Sequence, residues 1–311
     1  MVEKVSLAEV RERTYKDRDA WWTVWLVDPL ASRLVRLVAP WPAVTPNRLT
    51  VGAFLLGLGA ALCFWQQSWG WLIAGAALFH LSFVLDCMDG KIARLNGTGS
   101  VFGAWLDYVF DRLRVLACTI ALMGGQFART QDLVYLWLGG LVIFLDMFRY
   151  LNALQMNKVK DDMKDRLATA GEKPIFLEEA AATTVHPAGL AETGSVVTAA
   201  GKDGVERPVV DVYGEFRGRF GAFTRLRNRL IGQRIRAHLF SGIEFQMFVF
   251  IVGPLTHQII GVTVASAVLL IGFELLLIYK LWTATKTFTS RLTPTVVTQR
   301  VRESETAVPL P

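Results

Sequence analysis

Apolar and polar positions alternate along the chain on the scale of whole helices. Long apolar runs fall at roughly 49–66, 69–86, 104–124, 133–154, 239–258 and 261–282. A helix rises 1.5 Å per residue, so about 20 mostly apolar residues cross the hydrocarbon core of a bilayer. The pattern predicts an all-α polytopic membrane protein with six transmembrane helices. Ahead of them, "WWTVWLVDPLASRLVRLVAPW" (21–41) mixes Trp, Leu and Val with Asp28, Arg33 and Arg36. That mixture predicts an N-terminal amphipathic helix lying at the membrane interface, with a cap packed on the bundle as the alternative.

The pattern divides the chain into five stretches. Residues 1–48 form a cytosolic arm with the interfacial helix, and 49–155 hold helices 1–4. Residues 156–238 are a cytosolic excursion, 239–285 hold helices 5–6, and 286–311 are a cytosolic tail. The charged N-terminus "MVEKVSLAEVRERTYKDRD" has no secretory signal and is expected to be retained. Lys and Arg crowd the arm, the 87–103 loop, the excursion and the tail. The loops "QQSWG", "GGQFARTQD" and "PLTHQIIG" together hold only Arg129. The positive-inside rule therefore puts both termini in the cytosol, with a bacterial plasma membrane as the expected location.

Composition agrees. The chain has 311 residues, 52% hydrophobic, with ten Trp and nineteen Phe, and its mean hydropathy of +0.36 is too high for an ordinary soluble domain. The net charge of +6 is accounted for by cytosolic flanks near anionic lipid, so nucleic-acid binding is not needed. Cys63, Cys87 and Cys118 show no CxxC spacing and read as packing residues.

The excursion opens with "MNKVKDDMKDRLATAGEK", which extends the fourth helix into the cytosol, and then loses any usable period, which predicts a weakly ordered stretch. It ends on seven arginines, Arg217, Arg219, Arg225, Arg227, Arg229, Arg234 and Arg236, interleaved with Phe and Leu. They read either as a basic juxtamembrane helix held by anionic headgroups or as guanidinium forks for an anionic substrate.

The chemistry concentrates in "DCMDGKIARLNGTGSVFGAWLDYVFD" (86–111). Asp86 and Asp89 are three apart near the end of the second apolar run, and Asp107 and Asp111 are four apart near the start of the third. Each pair occupies one helix face, and the short turn between them folds one pair back on the other. Four clustered carboxylates repel unless a cation compensates. An all-oxygen ligand set favours Mg²⁺ or Mn²⁺, which typically also bind substrate phosphates. Gly90 and Gly103 open space for a close approach, and Lys91 and Arg94 supply positive charge near a phosphate. On spacing alone three readings stay open: a metal-dependent phosphoryl-transfer enzyme, the ion path of a divalent cation transporter, or salt bridges to Arg94, Arg112 and Arg114.

Elsewhere in the spans, Asp146 and Arg149 are expected to pair on one helix face, with Arg149 an alternative substrate contact. Glu244 and Glu274 are expected to face the bundle interior or the cytosolic cavity and bind an arginine or substrate, and His80 to be packed.

The run Asp86-x2-Asp89-Gly90-x2-Ala93-Arg94-x8-Gly103-x3-Asp107-x3-Asp111 resembles, without a mismatch, the signature of the CDP-alcohol phosphatidyltransferase family, and "TPNRLT" (45–50) resembles the start of that family's first helix. The resemblance does not extend over 156–215. It implies transfer of a phosphatidyl or related group from a CDP-linked lipid donor, such as CDP-diacylglycerol, to a hydroxyl acceptor, releasing CMP, in a homodimer in the bilayer. It implies Asp86, Asp89, Asp107 and Asp111 as ligands of Mg²⁺ or Mn²⁺, and Asp111 as the base that takes the acceptor proton. Gly90, Ala93, Arg94 and Gly103 are implied to line the CDP site. The arginines favour a phosphorylated polyol acceptor, glycerol 3-phosphate or inositol phosphate, over serine or an amino alcohol, with Arg149, Arg225, Arg229 and Arg234 as candidate acceptor contacts.

Overall fold

The computed structural model describes residues 6–169, 175–176, 198–200, 206–210, 229–230, 232–236 and 239–306. It is mostly helical: α1 (Leu7–Thr14), α2 (Asp28–Val38), α3 (Pro46–Trp65), α4 (Trp69–Asn96), α5 (Val101–Thr119), α6 (Gly125–Thr130), α7 (Val134–Thr169), α8 (Gly242–Met247), α9 (Gly253–Thr256) and α10 (Ile259–Thr306). Single π-helical turns, Ile120–Gly124 and Phe248–Val252, join α5 to α6 and α8 to α9.

Helix starts follow local chemistry. Thr45 caps α3 ahead of Pro46, and Ser100 caps α5 by accepting from the Gly103 amide at 2.9 Å. Gly97, at φ +65°, ends α4 in the left-handed conformation that costs glycine no steric penalty. Glu244 closes a capping box on Ser241 at the start of α8. This corrects the expectation that it binds an arginine or substrate: its partner is the helix cap.

Among the described residues, four helices are long and apolar enough to cross a membrane, Pro46–Trp65, Trp69–Asn96, Val134–Arg166 and Ile259–Phe288. The other two expected spans are not among these four. The 104–124 run is helical from Val101, but Asp107, Asp111, Arg112 and Arg114 crowd its first half. The 239–258 run yields only Gly242–Thr256 as apolar helix. As expected, α7 runs well past its apolar part, to Thr169.

Contacts divide the chain into two units, 1–149 with 227–273, and 150–226 with 274–311. In the first, α3 lies along α4: Phe64 would meet a Cβ at Gly75 at 2.6 Å, and Ser82 donates to the Ala53 carbonyl at 2.6 Å. In the core Phe250 stacks on Phe64 and packs tilted against Phe79. The face of α2 bearing Ala31, Ser32 and Val35 is buried, while Leu30 and Leu37 are exposed. Cys63 and Cys118 are buried free thiols, and His80 packs edge-on against Trp22.

In the second unit the excursion carries three short strands, β1 (Ile175–Phe176), β2 (Thr198–Ala200) and β3 (Glu206–Val210), in the order β1-β3-β2. β1 runs parallel to β3 and β2 antiparallel to it. The strands correct the all-α expectation locally; strands this short are too brief to leave a period in the sequence. Here Glu274 accepts from Asn152 at 2.6 Å.

The π turn after α5 loosens the helical ladder, and Gln67 answers it. Its side-chain amide donates to the carbonyls of Phe64, Ala121 and Leu122 at 2.6, 3.3 and 3.0 Å. A Cβ at Gly125 would collide with that amide. Gln67→Leu is expected to destabilise the protein by about 1–3 kcal/mol through buried carbonyls left without a donor. Thermal unfolding in detergent checks this, with the catalytic constants of the folded fraction unchanged.

Candidate active site

The turn 97–100 brings α5 back against α3, which also lies along α4, and so brings the two aspartate pairs toward each other. Asp86, Asp89 and Asp107 each offer an oxygen within 4.8 Å of the other two. Asp89 is buried and accepts from the Thr50 hydroxyl on α3 at 2.5 Å, which fixes one oxygen and the rotamer. Oδ1 of Asp107 is buried with no hydrogen-bond partner.

Asp111 stands apart from this triad. One of its oxygens accepts from Arg112 and the other from Arg114. Arg114 is fully buried, and it also reaches Asp86 at 3.3 Å and the Ser82 hydroxyl at 3.1 Å. Its stem crosses α3 at Gly57, where a Cβ would lie 2.5 Å from Cγ. Gly57 therefore makes room for a guanidinium that ties the two aspartate pairs together.

Arg112 extends the network. It pairs with Asp146 on α7, and Asp146 also accepts from Gln246 on α8 at 2.8 Å. This corrects the expected Asp146–Arg149 pair: the neighbouring helices supply both partners, and Arg149 instead packs its Cγ 3.5 Å from the Cβ position of Gly242. Five carboxylates are thus gathered around Arg112 and Arg114. The excess of negative charge and the orphaned Asp107 oxygen both fit a hard divalent cation among Asp86, Asp89 and Asp107.

A cavity of about 170 Å³ opens beside the triad, lined by Asn47, Thr50, Gly90, Ala93 and Gly103 with Asp89 and Asp107. A Cβ at Gly103 would sit 2.9 Å from Ser100 Oγ and 3.0 Å from Asn47 Oδ1. The guanidinium of Arg94 lies over Gly90, with Nη1 3.4 Å from where a Cβ would be, and its Nε donates to the Thr14 carbonyl at 2.9 Å. The N-terminal arm thus holds Arg94 at the rim of the cavity. The cavity continues into a larger one, about 510 Å³, that shares Pro46, Asn47, Thr98 and Ser100 with it and reaches Trp41.

Lys91 is not a free charge near a phosphate. It is buried on the other face of α4 and paired with Asp28 of α2 at 2.7 Å, because one residue past Gly90 turns the side chain away from the Asp89 face. Arg234 joins the same carboxylate at 3.2 Å and lies 4.2 Å from the Tyr15 ring. Asp19 and Ile235 form a β-bridge beside it. The end of the arginine cluster is therefore docked on the N-terminal arm, Arg229 is exposed, and Arg225 lies outside the described residues.

Thr50, Asn47, Gly57, Ser82 and Gln246 were not legible as site residues. The available signal was Arg114 itself, since an arginine within an apolar run demands carboxylates nearby.

Residues 43–177 match the family model described as CDP-alcohol phosphatidyltransferase. The chain is 43% identical over 68 residues to a "Bifunctional IPC transferase and DIPP synthase" of Aquifex aeolicus, a match covering 22% of this chain and 15% of the relative. It is 39% identical over 88 residues to a phosphatidylinositol phosphate synthase of Corynebacterium glutamicum, covering 28% and 37%. To an archaetidylinositol phosphate synthase of Pyrococcus horikoshii it is 37% identical over 97 residues, covering 31% and 50%. The chain thus spans half or less of the length of these relatives. The match to the CDP-alcohol phosphatidyltransferase model thus takes in the segment that carries the whole carboxylate motif.

Proposed function

We propose that the protein is a membrane-embedded CDP-alcohol phosphatidyltransferase that moves a phosphatidyl group from a CDP-linked lipid, CDP-diacylglycerol, to a phosphorylated polyol. The observation that carries this is the triad of Asp86, Asp89 and Asp107 with an unpartnered buried oxygen, beside a cavity walled by Gly90, Ala93 and Gly103. In this reading six spans put both termini and the site on the cytosolic side, and the exposed leucines of α2 lie in the interface. The protein acts as a homodimer, which mass measurement in detergent tests.

Asp86, Asp89 and Asp107 would hold the metal, and Asp111 would join them. A carboxylate offers about four lone-pair sites, so its bonds to Arg112 and Arg114 leave room for a further partner. Bound Mg²⁺ or Mn²⁺ supplies positive charge to the diphosphate oxygens as they take up electron density. Arg94 adds fixed charge at the cavity rim, and the missing side chains of Gly90 and Gly103 let the diphosphate reach the carboxylates. The acceptor oxygen forms a bond to the phosphorus bearing the lipid alcohol, and the bond from that phosphorus to the bridging oxygen breaks. CMP leaves with the electron pair, and Asp111 takes the hydroxyl proton. Arg94→Ala is expected to raise the donor KM with little change in the acceptor KM, whereas Asp111→Asn retains donor binding and loses turnover. Competition binding with CDP and both KM values check this split; equal loss of donor binding in the two variants would contradict it.

For the acceptor, the names of two relatives contain "inositol phosphate", and Arg149 is the guanidinium assigned to its phosphate in this reading. The test is a panel of labelled inositol phosphate, glycerol 3-phosphate, inositol and serine with CDP-diacylglycerol and Mn²⁺. Phosphorylated polyols are expected to give lipid product; product from serine or free inositol alone would overturn the assignment.

A further inference from the structure

Three helices outside the α4 segment of the motif converge on Asp111 through a chain the family signature does not contain. Gln246 of α8 donates to Oδ1 of Asp146 on α7 at 2.8 Å, and Oδ2 of Asp146 pairs with Nη1 of Arg112 on α5. The other terminal nitrogen of Arg112 holds Oδ2 of Asp111. Asp146 and Gln246 are both buried, each 4% exposed. A buried carboxylate with a guanidinium on one oxygen and an amide on the other has both oxygens engaged, and such a network has one arrangement. Arg112 in turn is held from the side opposite Asp111, so its fork cannot swing away.

We propose that Asp146 and Gln246 are positioning residues for the transfer reaction: through Arg112 they fix the Asp111 carboxylate at the angle from which it takes the acceptor proton. The inference rests on the assignment of Asp111 as that base. Arg112 follows Asp111 directly in sequence, and side chains of adjacent residues on a helix do not face each other. Without an anchor across the bundle, Arg112 has no reason to turn toward Asp111. Asp146 is that anchor, and Gln246 keeps it from rotating. Arg114 fixes the opposite oxygen from within α5, so removal of the chain frees one side of Asp111 while the Asp86–Asp89–Asp107 triad keeps its own contacts through Thr50 and Arg114. The consequence is a defect confined to proton removal from the acceptor. Donor binding, which uses the α4 cavity, is spared, and metal binding changes little because the triad carries three of its four carboxylates.

The test uses the full-length protein in detergent with CDP-diacylglycerol, Mn²⁺ and the best phosphorylated polyol of the panel. The variants Asp146→Asn and Gln246→Ala are compared for kcat, both KM values, CDP affinity and Mn²⁺ affinity. Outer-shell groups that orient a reacting residue typically contribute about 10- to 100-fold, so Asp146→Asn is expected to lose kcat on that scale, Gln246→Ala less, and Asp146→Glu to recover part of it. CDP and Mn²⁺ affinities are expected to stay within about twofold of the unaltered protein. Gln246→Ala removes one hydrogen bond and no charge, so it reads the effect even where Asp146→Asn fails to fold. An unchanged kcat in both variants beside an inactive Asp111→Asn would overturn this inference alone. Parallel losses of kcat, CDP affinity and Mn²⁺ affinity would overturn it in favour of a structural role. Full turnover in Asp111→Asn would remove the assignment on which it rests.

Discussion

Asp107→Asn is expected to lower turnover by about 10³-fold or more, the scale seen when a group acting in the transition state is removed. The protein should still insert and fold. Oδ1 of Asp107 has no protein partner, so little is broken in the folded state when its charge goes. What goes is a third of the triad that would neutralise the diphosphate through Mg²⁺ or Mn²⁺. Asp89→Asn should match it in activity and fall below it in stability, because Asp89 also accepts from Thr50. Rate assays with thermal unfolding of each variant check this. Near-normal turnover in Asp107→Asn would remove the triad from the chemistry.

Arg114→Gln is expected to cost about 3–5 kcal/mol, as removing one partner of a buried charge network leaves the others uncompensated. Arg114 is fully buried and holds Asp86 and Asp111 at once. Its loss leaves the carboxylates repelling one another, a deficit that a divalent cation can offset. The variant should therefore melt well below the unaltered protein in chelator and recover more of its Tm on adding Mn²⁺ than the unaltered protein gains. Equal Mn²⁺-dependent shifts in both proteins would contradict a shared electrostatic centre. Gly57→Val is expected to mimic the variant in part, since its side chain would occupy the path of the arginine stem.

Sequence pattern carried the helices and the motif because both rest on short-range periodicity. Spacing of three and four put Asp86 with Asp89 and Asp107 with Asp111 on one helix face each, and the short turn between them folds one pair back on the other. Pattern failed where the partner lies far along the chain. Asp146 is 34 residues from Arg112 and 100 from Gln246, so the nearby Arg149 looked the natural mate. Lys91 sits between motif residues yet belongs to Asp28, 63 residues away. Gly57 lies in an ordinary apolar run, and nothing local reveals that an arginine from another helix passes over it. The short strands of the excursion leave too brief an alternation to be read.

The central claim is that the carboxylate triad supports metal-dependent transfer from a CDP-lipid. The most direct measurement is CMP release and lipid product, counted together, from purified protein with CDP-diacylglycerol and a phosphorylated polyol, first in excess chelator and then with Mg²⁺ or Mn²⁺ restored. The account predicts neither product in chelator, and CMP and new phospholipid in equal amounts once the ion returns. Turnover undiminished by chelator would contradict it, as would divalent cation flux into liposomes without any consumption of CDP-diacylglycerol.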